Sequence, residues 1–292
     1  MMGKHRVSDH DDPRLNWATL SQAERDAAYD NNGAVANSPA LIEERNRLSA
    51  EKRARPGAKL DLAYGPTERT RIDLYPAADP AAPCLVFIHG GYWQRNSREV
   101  FAMVAEGPNA VGWSVAVPSH TLAPDASLSE IVAEIRACLD WLAAEGPAHG
   151  IAGPIILSGW SAGAHLTALA LDHPAVEAGL AISGVYELGP IRDTKLNAVL
   201  ALTPDEVETL SPLRLPVVMK PLTIAYGSAE VPALVQDARL FHAKRAAAHA
   251  PGALVPIAGE NHFSILAHLC RADGVLVKLA RSLADDIPAG RP

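Results

Sequence analysis

The sequence has few cysteines, few aromatic residues and no long apolar segment, and each shortage argues against a class of protein. Its 292 residues include three cysteines, Cys84, Cys138 and Cys270, and no C-x-x-C pair, which argues against a disulfide framework and a zinc cluster. No apolar run approaches the ~20 residues of a membrane helix. The first residues also lack the apolar core of a secretory signal. We therefore expect a cytoplasmic protein without a membrane partner.

Basic residues are not in excess either. The net charge is −7, which argues against a nucleic-acid partner. The sequence contains no His-x-x-x-His pair, no G-x-G-x-x-G and no G-x-x-x-x-G-K-[ST], so we expect neither a metal nor a nucleotide cofactor. The expected partner is a small-molecule substrate, and the sequence leaves open whether the chain forms a homodimer.

The charges divide the chain into two parts. Residues 1–58 contain nine basic and nine acidic residues, whereas residues 59–292 contain 17 basic and 24 acidic ones. The first part has helix signals: Ser21 and Glu24 have the spacing of a capping box, and Ser38-Pro39 is typical of a helix start. We predict an N-terminal helical arm over 1–58 that partly covers the site, followed by a catalytic domain over 59–292.

Short apolar runs alternate with helical patterns in the second part. The clearest helix signal is the apolar stripe at helical spacing over Ser127–Ala144. Strands that alternate with helices predict an α/β fold with a mostly parallel central sheet flanked by helices. The first two runs alternate apolar and polar residues, which predicts half-buried antiparallel strands. The eight runs are Leu60–Tyr64, Arg71–Tyr75, Cys84–Ile88, Ser114–Val117, Pro154–Leu157, Gly179–Ile182, Leu222–Tyr226 and Ala253–Ile257.

The strongest chemical signal is Gly159-Trp160-Ser161-Ala162-Gly163, which lies between a predicted strand and a predicted helix. A sharp strand-to-helix turn exposes a serine Oγ at a helix N-terminus, and small residues two positions away relieve the crowding. We predict that Ser161 is a nucleophile. The alternative is a structural serine.

A glycine pair follows the predicted strand Cys84–Ile88, in the sequence His89-Gly90-Gly91-Tyr92-Trp93. Glycines allow the backbone to approach a substrate oxygen, so the N–H groups of this glycine pair are candidates for one half of an oxyanion hole. The N–H of Ala162, which follows the serine, is the candidate for the other half. The alternative is a tight turn without a chemical role.

A serine nucleophile needs a base and an acid that orients the base. His262 follows the last predicted strand, where the chain order Ser…acid…His places the base. Glu230 is the third residue after Gly227, which ends the run Leu222–Tyr226, and is the first candidate for the acid. Asp237 is the second candidate, and the sequence leaves the choice between them open.

Together these motifs resemble the α/β-hydrolase superfamily, and within it the kynurenine formamidase (arylformamidase) family and its bacterial esterase relatives. His89-Gly-Gly-Tyr-Trp93 is similar to the H-G-G-x-W motif of that family, and Gly159–His165 is similar to its G-x-S-A-G-A-H motif. The resemblance covers roughly residues 60–270. It implies a triad of Ser161, His262 and Glu230, with backbone donors at Gly91, Tyr92 and Ala162. The sequence departs from the family in using Glu230 rather than aspartate, in Trp160 beside the nucleophile, and in His120 where tyrosine is frequent.

The resemblance implies an amidase that acts on a small acyl group, such as the formyl group of an N-formyl aromatic amine like N-formylkynurenine. A short-chain carboxylesterase is the alternative, and a hydrolase-fold binding protein with a silent triad is a third hypothesis. Five of the aromatic residues lie in the arm or beside the motifs and are candidates for substrate contact, with core packing as the alternative: Trp17, Tyr29, Tyr92, Trp93 and Trp160.

Overall fold

The computed structural model describes residues 17–287, in which eight strands form one sheet. The order across the sheet is β1-β2-β4-β3-β5-β6-β7-β8, with β1 and β2 antiparallel to their neighbours and the remaining pairs parallel. The predicted mostly parallel α/β sheet is therefore confirmed. The strands are β1 (Lys59–Ala63), β2 (Arg71–Tyr75), β3 (Cys84–Ile88), β4 (Ser114–Pro118), β5 (Ile155–Trp160), β6 (Val176–Ile182), β7 (Leu222–Gly227) and β8 (Leu254–Ile257).

Helices cover both faces of this sheet. Their bounds are α1 (Gln22–Ala28), α2 (Asn31–Ala34), α3 (Ser38–Arg53), α4 (Glu106–Ala110), α5 (Leu128–Glu145), α6 (Ala162–Leu169), α7 (Leu188–Arg192), α8 (Asn197–Leu200), α9 (Pro204–Leu210), α10 (Pro232–Ala247) and α11 (Val275–Asp285). Short 3-10 helices occupy Trp17–Thr19, Arg98–Ala105, Gly146–His149 and Ser264–Leu269.

The alternation of side chains along a strand divides the core in two. In β3, Val86 and Ile88 pack with α5, α6 and α10 on one face, while Leu85 and Phe87 pack with the 3-10 helix Arg98–Ala105 and with α11 on the other. Because both faces are covered, the central strands are continuous apolar runs.

The prediction that β2 is half-buried was wrong. Four of its five residues are buried, because the 3-10 helix Arg98–Ala105 and α3 of the arm lie over the face that the sequence pattern left to solvent. The polar residue in this strand, Asp73, is fully buried, accepts a hydrogen bond from Arg98 Nε at 3.0 Å and forms an ion pair with Arg53 of α3. Its charge is thus compensated by two arginines rather than by water.

The described part of the arm forms the helices that its capping signals predict. Ser21 and Glu24 make the capping box that begins α1, and α3 begins at Ser38. The arm lies against the rest of the chain: Trp17 Nε1 donates to Asp193 Oδ2 at 2.9 Å, and Asp26 Oδ1 accepts from the backbone N–H of Lys195 at 2.6 Å. The domain division at residue 58 stays a prediction. Among residues 17–287, no helix combines the length and the apolar character needed to cross a membrane.

Candidate active site

Ser161 lies in a sharp turn between the end of β5 and the start of α6. Its backbone has a positive φ of 59° with ψ −120°, a combination that is strained for a residue with a side chain. The two flanking glycines make the turn possible. A Cβ at Gly159 would lie 2.2 Å from the carbonyl oxygen of Gly163, and a Cβ at Gly163 would lie 2.0 Å from that of Ile88. The spacing of the motif is therefore a steric requirement of this turn.

The structure brings three distant side chains into one hydrogen-bonded row. His262 Nε2 lies 3.1 Å from Ser161 Oγ, and His262 Nδ1 lies 2.9 Å from Glu230 Oε2. All three residues are buried. With the Nδ1 proton donated to the carboxylate, Nε2 is free to accept the proton of the serine hydroxyl. This arrangement can generate an alkoxide nucleophile at Ser161.

Glu230 lies in the turn after β7, and its second carboxylate oxygen, Oε1, also accepts hydrogen bonds. Its Oε1 accepts hydrogen bonds from the hydroxyl of Ser183 at 2.6 Å and from the backbone N–H of Gly227 at 2.7 Å. The second acid candidate, Asp237, lies in α10, where its carboxylate accepts from the backbone N–H of Tyr186 at 2.9 Å. Of the two candidates, the structure brings Glu230 to the histidine and uses Asp237 to hold the loop after β6.

Trp160, the residue before the serine, contacts His262 in two ways. Its indole Nε1 donates to the backbone carbonyl of His262 at 2.8 Å, and its ring centre lies 4.6 Å from that of the imidazole. The side chain is 3% exposed, so it forms a buried wall beside the histidine. Trp160 therefore fixes both the backbone and the ring plane of His262.

The glycine loop after β3 lies directly against the serine turn. A Cβ at Gly90 would lie 2.6 Å from the carbonyl oxygen of Trp160 and 2.8 Å from Ser161 Cβ. The carbonyl of Gly90 accepts from Asn96 Nδ2 at 3.0 Å and lies 2.9 Å from His89 Nδ1. The C=O of Gly90 and the N–H of Gly91 belong to one trans peptide unit and point in opposite directions. The N–H of Gly91 therefore points away from Asn96 Nδ2 and His89 Nδ1.

The backbone N–H groups of Gly91, Tyr92 and Ala162, the donors that the resemblance implies, have no hydrogen-bond acceptor among residues 17–287. Tyr92 and Trp93 adopt positive φ values of 50° and 57°, so the loop holds an uncommon backbone shape at this point. Donors of this kind can stabilise negative charge that develops on a substrate oxygen.

A cavity of about 160 Å³ opens beside the serine and the histidine. Arm residues form much of its wall, together with the glycine loop and the segment after His262. Of the five aromatic candidates, Tyr29, Tyr92 and Trp160 line it. The remaining wall residues are Asp26, Asp30, Asn31, Asn32, Ile42, Arg45, Gly91, Arg95, Asn96, Lys195, Leu196 and Phe263.

Trp93 and Trp17 are not among the residues that line this cavity. Trp93 is 1% exposed, and its ring packs edge-on against His165 at 4.9 Å, so its backbone shape turns it into the core. Trp17 packs on Tyr29 from outside, with ring centres 5.9 Å apart, and donates its indole N–H to Asp193. The alternative interpretation, packing, describes both residues.

Sequence reasoning missed several wall residues, most of them from the arm. Asn31 Nδ2 donates to the hydroxyl of Tyr92 at 3.1 Å, and that hydroxyl donates to the carbonyl of Tyr29 at 2.8 Å. Arg45 lies on the same side of α3 as Leu41 and Leu48, and a basic residue on such an apolar side is the sequence signal that could have identified it.

Buried histidines other than His262 lie near the turn and have other partners. His165 Nε2 lies 2.8 Å from the carbonyl of Leu210, and the ring of His89 stacks on that of His120 at 4.7 Å. Burial lowers the pKa of His165 and of His120 to about 4, and lowers that of His89 well below its usual value. These rings are therefore neutral at neutral pH and contribute no positive charge to the site. Within the described chain there is no cluster of three or more His, Cys, Asp or Glu side chains that could hold a metal ion.

The fold and this site define a class. A mostly parallel eight-stranded sheet that presents a serine on a strand-to-helix turn, with an acid after β7 and a histidine after β8, is the α/β-hydrolase fold. Similar solved structures agree. A candidate thioesterase from a Silicibacter species superposes on this chain with a TM-score of 0.79 and 28% sequence identity. The match covers 88% of this chain and 99% of the thioesterase. Esterase B from Lactobacillus rhamnosis matches with a TM-score of 0.69 and 16% identity, over 91% of this chain and 96% of the esterase chain. At this identity the match supports the fold alone.

Sequence comparison finds further similar proteins. Residues 72–200 match the family described as BD-FAE. The kynurenine formamidase of Danio rerio is 25% identical over 236 residues, which cover 75% of this chain and 80% of that protein. The kynurenine formamidase of Salmo salar is 26% identical over 75% of this chain and 80% of that protein. The chain thus has the α/β-hydrolase fold and is similar in sequence to kynurenine formamidases, which supports a hydrolase of amide or ester bonds.

Proposed function

We propose that the protein cleaves a small acyl amide, with an N-formyl aromatic amine such as N-formylkynurenine as the substrate class, through Ser161, His262 and Glu230. The observation that carries the proposal is the continuous row of hydrogen bonds from Ser161 Oγ through both ring nitrogens of His262 to Glu230 Oε2. The similarity to fish kynurenine formamidases supports the choice of an amide. The sequence predicts that it acts in the cytoplasm.

In the first half of the reaction, His262 Nε2 accepts the hydroxyl proton as Ser161 Oγ forms a bond to the acyl carbon. The carbonyl oxygen becomes an oxyanion, for which the N–H groups of Gly91, Tyr92 and Ala162 are the donors. The C–N bond then breaks, and the imidazolium returns its proton to the departing nitrogen. Glu230 stabilises the imidazolium through Nδ1. The products of this half are the free amine and an acyl-Ser161.

In the second half, His262 takes a proton from water as the water oxygen attacks the acyl carbon. The bond to Ser161 Oγ breaks, and Oγ regains a proton from the imidazolium, so the acyl group leaves as a carboxylic acid. An aniline nitrogen leaves poorly unless it is protonated, so proton donation by His262 weighs more for an amide than for an aryl ester.

A short-chain carboxylesterase is the second candidate, and the similarity to a candidate thioesterase at 28% identity favours an ester substrate. The ratio of kcat/KM for N-formylkynurenine to that for p-nitrophenyl acetate decides between the two. A ratio above one supports the amidase, and turnover of the ester without the amide supports the esterase.

The serine is tested with Ser161→Ala, which is expected to lower kcat by about three orders of magnitude or more while the melting temperature stays near that of the wild type. Near-normal activity in this variant would contradict the proposed triad. Labelling of Ser161 by a fluorophosphonate tests the third hypothesis, because a silent binding protein would not react.

A further inference from the structure

Arg45 is a buried cation in the wall of the active-site cavity. It lies in α3, is 9% exposed, and lines the same cavity as Ser161 and His262. Its Nε and Nη2 both donate to Oδ1 of the neighbouring Asn46, at 3.1 and 2.9 Å. Within residues 17–287, no carboxylate lies within ion-pair distance of its guanidinium, and its Nη1 has no protein acceptor.

The surroundings of this guanidinium are apolar. It lies over the ring of Phe101 at 4.5 Å. Arg45 also lines a second, apolar cavity of about 140 Å³, and three further residues line both cavities: Ile42, Trp160 and Phe263. Burial lowers the pKa of Arg45 to about 10, so the group remains protonated at neutral pH. An uncompensated buried charge is costly, and the aromatic face offsets only part of that cost.

The other charged groups of the cavity wall differ from Arg45. Asp26 accepts from the backbone N–H of Lys195, and Asp30 Oδ1 accepts from the backbone N–H of Gly33 at 3.0 Å, so both carboxylates already have donors. Lys195 and Arg95 are exposed, and water screens their charges. Arg45 is therefore the wall cation whose charge an anionic ligand would compensate most strongly.

We propose that Arg45 binds a carboxylate on the substrate, away from the reacting carbonyl, so that the site selects amides or esters that carry a carboxylate over those that do not. This inference rests on the proposed function and adds to it the residue that recognises the carboxylate. The guanidinium offers planar donors that match a carboxylate, and the apolar wall strengthens the ion pair.

The test compares substrates that differ only in charge. The pair is N-formylkynurenine and its carboxamide, and the measured quantity is the ratio of their kcat/KM values. Arg45→Met is expected to lower this ratio by about tenfold or more, the range of a hydrogen bond to a charged group. Arg45→Lys, which keeps the charge, is expected to retain part of the preference.

Arg47→Met is the matched control, because it removes the same charge from the same helix at a side chain that faces solvent and pairs with Glu44 and Glu51. It is expected to leave the ratio unchanged. Lys195→Met tests the exposed cation. An unchanged ratio in Arg45→Met, or an equal loss in Lys195→Met or Arg47→Met, would overturn the proposal. If Arg45→Met lowers the melting temperature too far for assay, Arg45→Gln takes its place.

A second substrate pair separates this inference from the proposed function. The esters 4-acetoxybenzoate and 4-acetoxybenzamide also differ only in charge. If the protein does not cleave N-formyl amides but prefers 4-acetoxybenzoate in a way that Arg45→Met abolishes, the amidase proposal fails and the carboxylate site stands. If Arg45→Met leaves both preferences intact, the carboxylate site fails.

Discussion

The indole of Trp160 and the backbone of His262 are joined by a hydrogen bond of 2.8 Å across 102 residues of chain. The two rings lie 4.6 Å apart at the same point. The residue beside the nucleophile thus determines where the base lies, although its own side chain reaches neither Ser161 Oγ nor Glu230 by a hydrogen bond.

Replacing Trp160 with phenylalanine separates these two contacts. Trp160→Phe keeps a ring against the imidazole and removes the N–H, which leaves the buried carbonyl of His262 without that donor at a cost of about 1–3 kcal/mol. We expect a loss in kcat of about tenfold or more, with a smaller change in KM. The control is Trp141→Phe, at a half-buried tryptophan in α5 that stacks on His149. Equal kcat values in the two variants would contradict a positioning role.

The second prediction concerns the close approach of Gly90 to the serine turn. In Gly90→Ala the new Cβ would meet backbone and Cβ atoms at 2.6 and 2.8 Å, which cannot move like the end of a flexible side chain. We expect kcat to fall at least about a hundredfold, because the oxyanion donors and the serine are pushed apart. Gly189→Ala is the control, since its Cβ would meet only the ends of Arg214 and Glu187 side chains at 3.0 and 3.2 Å. Wild-type kcat in Gly90→Ala would show that the loop does not depend on this contact.

The third prediction concerns the link between the arm and the glycine loop. Tyr92→Phe removes the hydroxyl that donates to Tyr29 and accepts from Asn31, but leaves the backbone of the loop intact. We expect KM to rise severalfold with kcat little changed, and we expect faster cleavage of the arm by added protease, because two hydrogen bonds of about 1 kcal/mol each are lost. Unchanged KM and unchanged proteolysis together would show that this link does not hold the cavity wall.

The fourth prediction follows from the buried neutral histidines. The pKa of His165 is about 4 in the folded chain, below its ordinary value of 6.5, so between these values the unfolded chain binds a proton that the folded chain does not. The free energy of unfolding therefore rises with pH from about 4 to 6.5 and is largest above that range. His165→Gln, which can still donate to Leu210, is expected to reduce this slope near pH 5 by about 1 kcal/mol per pH unit. Urea unfolding at several pH values measures it, and an unchanged slope would contradict the prediction.

Features that depend on residues close together in sequence were predicted correctly. The eight strands, the capping box at Ser21, the helix that follows Ser127 and the turn around Ser161 depend on neighbours in sequence, so the pattern of residues was sufficient to predict them. The spacing from Gly227 to Glu230 also favoured the acid that the structure brings to His262.

Contacts between segments that are distant in sequence could not be predicted from local patterns. The half-buried pattern of β2 gave no sign that an arm helix covers it, and the positive φ of Trp93, which turns the ring into the core, has no signature in the sequence around it. Arg45 was missed for the same reason. Its role depends on which surface α3 meets, and a single helix pattern with a basic residue does not contain that information.

Asp73, in the middle of β2, joins the sheet to both Arg98 and Arg53, and Arg53 belongs to the last turn of α3. This helix is therefore anchored at the sheet, and its cavity-facing residues form a fixed part of the wall. The helices before it are held to the rest of the chain by hydrogen bonds near the surface, such as those of Asp26 and Trp17. For a bulky substrate that enters past α1 and α2, kcat/KM would therefore scale with the fraction of molecules in which those bonds are open.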